Sequence, residues 1–211
     1  MSAVEVKDLR KNFGKNEAVK GISFNIEKGE IFGLIGPNGA GKTTTLRVVS
    51  TLLQITSGTV NIMSHNVEKE PAEVRKLISY LPEDAGAYKN LTGREYLTFI
   101  ANFFGEKNRE SMIKKGIEIA DLAKRIDDKI DTYSKGMKRR LLVGRALMTD
   151  PKLAILDEPT SGLDVINAQE IRKIVKTTAK NGATVLLSSH NMLEVEYMCD
   201  RIALIAKGEI I

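Results

Sequence analysis

Apolar residues recur along this chain in two rhythms, and the points where one gives way to the other mark its elements. Val4, Val6 and Leu9, then Val19, Ile22, Phe24 and Ile26, alternate roughly with polar residues, which predicts strands early in the chain. Ile31–Ile35 carries no polar side chain, as expected of a strand buried on both faces. After a glycine-rich turn at 36–41, Leu46, Val49, Leu52 and Leu53 fall at helical spacing and predict a helix over 42–53. The pattern then gives a strand at 58–62, a short helix over 71–77 with Pro71 in its first turn, and a strand at 78–81.

From 92 to about 148 the period is helical, as in Ile113, Gly116, Ile117, Ala120 and Ala123. Asp150 and Pro151 punctuate its end, and the alternation then resumes. It gives a strand at 153–156, a helix at 164–180 carrying Ile171, Ile174, Val175 and Thr178, a strand at 184–188 and a helix at 192–198. Strands alternating with amphipathic helices predict an α/β fold: a mainly parallel sheet covered by helices, with an all-helical subdomain inserted between its halves. The expected division is a core of 1–84 and 151–211 around a helical subdomain at 85–150.

The turn between the buried strand and its helix reads GPNGAGKT over 36–43, which is G-x-x-x-x-G-K-[ST] in the strand-to-helix context that phosphate binding requires. Glycines at 36, 39 and 41 let successive backbone N–H groups point inward, where a β-carbon would interfere, and the helix N-terminus adds a positive dipole end. A plain Gly/Pro/Asn turn would share the composition, but the flanking elements favour a nucleoside triphosphate site. Its candidate binding residues are Gly36, Pro37, Asn38, Gly39, Ala40, Gly41, Lys42, Thr43 and Thr44. Lys42 is expected to reach the β- and γ-phosphates, Thr43 to ligate magnesium, and Thr44 to offer a hydroxyl to phosphate.

Asp157 and Glu158 follow the apolar run 153–156, at the strand end where open α/β sheets place ligands. Asp157 suits a magnesium ion, and Glu158 suits a general base that polarises water toward the γ-phosphate. The pair points to hydrolysis rather than binding alone.

Composition narrows the setting. Of 211 residues, 42% are apolar and 28% charged, as in ordinary globular domains. The longest apolar run, 202–206, falls far short of a membrane span. The start, MSAVEVKDLRK, is charged where a signal peptide would be apolar, and Cys199 is the one cysteine, so a reducing, cytoplasmic setting is expected. Thirty-two Lys and Arg against 27 Asp and Glu give a net charge of +5, spread along the chain, with 5% aromatic residues and no tryptophan. Nucleic acid is therefore not an expected partner.

At this point the chain resembles the ATP-binding cassette family, the nucleotide-binding subunits of ABC transporters, over essentially its whole length. After GPNGAGKTT come YLPED at 80–84, similar to the family's Q-loop, YSKGMKRR at 133–140, similar to its signature, then LAILDEP, SGLD at 161–164, similar to its D-loop, and His190, similar to its switch histidine. The resemblance implies a P-loop NTPase (RecA-like) core with an N-terminal antiparallel β portion and the helical insert. It implies ATP and Mg2+ as ligands, with Thr43, Asp157 and Glu83 toward the metal and Lys42, Glu158 and His190 as the catalytic set. It also implies head-to-tail pairing with a second nucleotide-binding subunit, alike or different, so that Ser134, Gly136 and Asp164 act in trans. Ser134 at a helix N-cap and the close backbone approach allowed by Gly136 give that idea a physical basis. Phe13 occupies the place of the adenine-stacking aromatic. An integral membrane permease is the expected partner, docking on 82–104, with the chain peripheral on the inner face of the cell membrane.

Three positions depart from the pattern. Glu83 replaces the usual glutamine with an anion, and Lys135 stands where glycine is common, with Met137 where glutamine is common. Lys135 is expected to point to solvent, and Lys138, Arg139 and Arg140 to form a solvated or partner-facing patch. GMKRRL is similar to cassettes of drug, polysaccharide or lipid exporters. A soluble cassette ATPase acting on nucleic acid or ribosomes, or a weakly hydrolysing regulatory cassette, are the alternatives. The former usually carries two cassettes or long insertions, and intact Lys42, Asp157, Glu158 and His190 argue against the latter. His65 has no such context and is expected at the surface.

Overall fold

Two apolar layers, one on each side of a central sheet, account for the architecture. The structure is a computed structural model that describes residues 2–211. In chain order the elements are β1 (Ser2–Phe13), β2 (Asn16–Glu27), β3 (Ile31–Ile35), α1 (Lys42–Val49), β4 (Ser57–Ile62), β5 (His65–Asn66), α2 (Pro71–Leu77), β6 (Ile78–Leu81), α3 (Gly93–Ala101), α4 (Arg109–Ala120), α5 (Lys135–Leu147), β7 (Leu153–Leu156), α6 (Val165–Lys180), β8 (Thr184–Ser189), α7 (Met192–Met198), β9 (Arg201–Ala206) and β10 (Glu209–Ile210). Between β6 and β7 the named elements are all helical, counting the short 3-10 turns, with one isolated bridge at Thr92 and Lys129.

The central sheet has the order β10-β9-β3-β8-β7-β6, parallel except for β10 against β9. A second, antiparallel sheet of order β2-β1-β4-β5 forms the N-terminal portion. Along β7, Leu153 and Ile155 pack toward the antiparallel sheet and α1, while Ala154 and Leu156 pack toward the helices. Period-two alternation therefore delivers apolar side chains to both faces, which is why the strand has no polar position to spare. The parallel register aligns the C-terminal ends of β3, β6, β7 and β8: Ile35 lies opposite Ser189, Leu156 opposite Leu187, and Leu81 opposite Leu156.

Two helices end earlier than their apolar spacing predicts. α1 stops at Val49 because Thr51 turns left-handed at φ 63 and the chain folds back, with Leu52 N–H donating to Arg47 O at 2.8 Å and Thr51 N–H to Val48 O at 3.0 Å. That Schellman closure leaves Leu52 and Leu53 beyond the helix. α4 ends at Ala120, where Asp121 adopts φ 46, so Ala123 belongs to the following 3-10 turn. Asp164 caps α6 rather than forming its first residue.

Candidate nucleotide site

The loop after β3 is shaped by its neighbours as much as by its own residues. A β-carbon at Gly36 would sit 2.0 Å from Ile205 O, and one at Gly41, already at φ 108, would meet Ala18 O at 2.7 Å. Gly39 is different: it needs only its positive φ of 79, since a β-carbon there meets nothing within 4 Å. The loop that carries Pro37, Asn38 and Ala40 is held by Ala40 N–H to Pro37 O at 3.2 Å and Gly208 N–H to Ala40 O at 3.0 Å. Gly41 caps α1 without a side-chain hydrogen bond, and Lys42, Thr43 and Thr44 form the helix's first turn.

Lys42 is 6% exposed, and its ammonium donates to Gly36 O at 2.7 Å and Pro37 O at 3.3 Å. It also lies 3.3 Å from Glu158 Oε1, an ion pair between two buried groups. Glu158, 4% exposed, sits at φ 46 just past β7, and its other oxygen, Oε2, is 2.9 Å from His190 Nδ1 at the end of β8. The C-terminal ends of three parallel strands thus gather Lys42, Glu158 and His190, with Glu158 in contact with both of the others. Asp157, 1% exposed, accepts a hydrogen bond from Ser188 Oγ at 2.5 Å and another from the Tyr80 hydroxyl at 3.5 Å. Burial, and next the Asp157 charge, push the Tyr80 phenol up.

The other expected residues stand elsewhere. Glu83 is exposed, and its carboxylate accepts from Ser161 Oγ at 3.4 Å. No group of three or more His, Cys, Asp or Glu among the described residues makes a ready metal cluster. Thr43 and Asp157 nonetheless offer only hard oxygen donors, which fits magnesium held jointly with phosphate oxygens. Ser134 caps α5, accepting from Met137 N–H at 3.2 Å, and Asp164 caps α6, accepting from Asn167 N–H at 2.9 Å. That backbone N–H, followed by the Asn167 amide, holds the Asp164 carboxyl below the usual range. Phe13 ends β1, 47% exposed, with Lys11 Nζ 5.0 Å over its ring. Lys135 is exposed, as expected, and a β-carbon built on Gly162 would meet its ammonium. His65 lies near the surface with Nδ1 2.9 Å from Glu70 Oε1.

One expectation is overturned. Arg139 does not belong to a solvated patch: it is 7% exposed, and its guanidinium points inward from α5 to main-chain carbonyls at the ends of β6 and β7. Burial pulls it below the ordinary arginine value, while the carboxylates of Glu83, Asp157 and Glu158 push it back up. Three groups were missed by sequence reasoning. Ser188 bridges both acids, because its hydroxyl also accepts from Glu158 N–H at 2.9 Å; a polar residue on a buried strand two positions before His190 was the available signal. Asn167 fills the space a β-carbon at Gly136 would need, so the signature turn and the α6 cap touch within this chain. Arg139 itself left no signal, since its partners are backbone.

The family model described as ABC transporter matches residues 19–161. The linearmycin resistance ATP-binding protein LnrL of Bacillus subtilis (strain 168) is 41% identical over 210 residues, covering 99% of this chain and 68% of that protein. The bacitracin transport ATP-binding protein BcrA of Bacillus licheniformis is 37% identical, covering 99% and 68%. Among solved structures, a dimeric post-hydrolysis state of an ATP-binding cassette bound to ADP and phosphate superposes with a TM-score of 0.86 at 25% identity, covering 98% of this chain and 96% of that one.

Proposed function

The chain belongs to the ABC transporter family, and from that premise we propose how its residues divide the work of an ATP-hydrolysing transporter subunit. The observation that carries the proposal is the contact of Glu158 with both Lys42 and His190, 3.3 and 2.9 Å away. The loop from Gly36 to Thr44 holds the ATP phosphates, which compete for the Lys42 ammonium and release Glu158 from it. Glu158 then takes a proton from an attacking water as the water oxygen bonds the γ-phosphorus and the bond from that phosphorus to the ADP oxygen breaks. His190 orients Glu158 and the γ-phosphate. Thr43 and Asp157 would hold Mg2+, with Glu83 as a further acid toward it, and the ion would neutralise charge on the phosphates. Phe13 stacks on adenine.

Ser134, Gly136 and Asp164 serve a second copy or a related cassette, each ATP lying between one subunit's loop and the other's signature turn. Residues 85–150 form the helical subdomain between the two parts of the core, 1–84 and 151–211. No helix among the described residues is long and apolar enough to cross a membrane. Relatives named as ATP-binding proteins for resistance and transport support assigning the pathway for cargo to a separate permease. Its docking surface is 82–104, where Tyr88, Phe99 and Phe103 form an exposed edge-to-face aromatic ladder beside Phe104. A chain docked on a permease through this surface is peripheral on the inner face of the cell membrane. Relatives named for linearmycin resistance and bacitracin transport favour export.

The test is affinity capture of the tagged chain from its own detergent-solubilised membranes, with and without magnesium ATP. Recovery with a multispan polypeptide supports the reading, and recovery from the soluble fraction with RNA or ribosomal protein contradicts the membrane role.

A further inference from the structure

Arg139 is a buried cation whose hydrogen bonds go to the main chain. Its Nε donates to Pro159 O at 2.8 Å, Nη1 to Glu83 O at 3.1 Å and Pro82 O at 3.4 Å, and Nη2 to Asp157 O at 3.1 Å and to Glu158 O. Carbonyl partners mean that what the guanidinium fixes is the path of two backbone segments, not the position of another side chain. One segment is the turn at 157–159; the other is 82–83, at the end of the neighbouring parallel strand β6. A planar fork with several N–H groups can span both, which a single lysine ammonium cannot.

The held turn is one that needs holding. Glu158 adopts φ 46, a conformation that non-glycine residues avoid, and both of its peptide ends are tied: the N–H to Ser188 Oγ at 2.9 Å and the carbonyl to Arg139. Arg139 also stands only five positions after the α5 cap Ser134, about 7.5 Å along the helix axis. The helix whose first turn carries the signature therefore also grips the turn that carries the proposed base.

We infer that Arg139 is a positioning residue for ATP hydrolysis: it sets the left-handed Glu158 turn and residues 82–83 in one frame with the signature helix. This rests on the assignment of Glu158 as base. Displacing that carboxylate by an ångström costs turnover without weakening the phosphate loop's hold on nucleotide, because Gly36 and Gly41 are fixed by their close approach to Ile205 and Ala18, and Lys42, besides its pair with Glu158, is held by the Gly36 and Pro37 carbonyls.

The experiment compares the full chain with Arg139→Met, Arg139→Gln and Glu158→Gln, measuring kcat, KM for ATP, ADP affinity and thermal unfolding. The expected result for Arg139→Met is a kcat lowered by roughly 10- to 100-fold with KM and ADP affinity within about threefold, and partial recovery of kcat in Arg139→Gln, whose amide restores two N–H donors. Should Arg139→Met not fold, Arg139→Gln must show the same split in smaller measure. Parental kcat in a folded Arg139→Met, or losses of kcat and nucleotide affinity that merely follow the folded fraction, would overturn the inference while a stalled Glu158→Gln leaves the base in place. Parental turnover in Glu158→Gln removes the base assignment and this inference with it.

Discussion

The two ends of the proposed site are built by different means. At the sheet edge, Lys42, Asp157 and Glu158 are buried, and each meets a partner from a distant part of the chain: Lys42 meets Glu158, Asp157 meets Ser188, and Glu158 meets His190 and, through its carbonyl, Arg139 of α5. At the signature and D-loop end, Ser134 and Asp164 are exposed and bond within their own first helical turns. The first end is assembled by the fold, whereas the second presents capped helix N-termini outward. An outward N-terminus is half of an anion site, and in this account the other half is a phosphate held by a second subunit.

Removing the base acts on the assembled end and has the largest effect. Glu158→Gln is expected to lower turnover by about 10² to 10⁴ while sparing nucleotide binding, read from steady-state hydrolysis beside an ATP titration. Near-parental turnover would break the comparison at its stronger side. The rigidity of that side can be measured without touching it. Cys199 Sγ lies 2.8 Å from where a β-carbon on Gly33 of β3 would be, and burial, followed by Asp200, pushes its thiol up to about 12. Alkylation at pH 8 should be on the order of 10³ slower in the folded chain than in urea, because so little thiolate forms. Comparable rates would mean that the strand beneath the phosphate loop opens readily.

Smaller effects separate a cap from a shared site. Ser134→Ala removes the α5 cap, worth about 1 kcal/mol of stability. If Ser134 also serves a partner's phosphate, turnover falls about tenfold or more with unchanged ATP affinity of the single chain. A stability loss alone would leave Ser134 as a cap. Least of all, Glu83→Gln should relax the magnesium dependence of hydrolysis by about fivefold or less, the worth of about 1 kcal/mol between unit charges 4 Å apart in water. Superimposable magnesium titrations would detach Glu83 from the metal.

Legibility in the sequence follows the same division. Local devices were readable: the glycine loop, the acids after an apolar strand, the cap at Ser134, and the strands at 78–81 and 153–156. Helix ends were less so, because a left-handed threonine or aspartate closes α1 and α4 where apolar spacing runs on. Arg139 was unreadable because a charge beside Lys138 and Arg140 looks like surface, and carbonyl partners far along the chain leave no residue pattern. Ser188 lay between, a hydroxyl inside the expected strand at 184–188 to which no chemistry had been assigned.

The most direct test of a shared site is the size of the Glu158→Gln chain by sedimentation, with and without magnesium ATP, and again with Ser134→Arg added. The account predicts a monomer without nucleotide, a dimer with it, and loss of that dimer when the arginine obstructs the signature turn while ATP still binds. A chain that binds ATP, stays monomeric throughout, and in its parental form hydrolyses at a rate per molecule independent of concentration would contradict it.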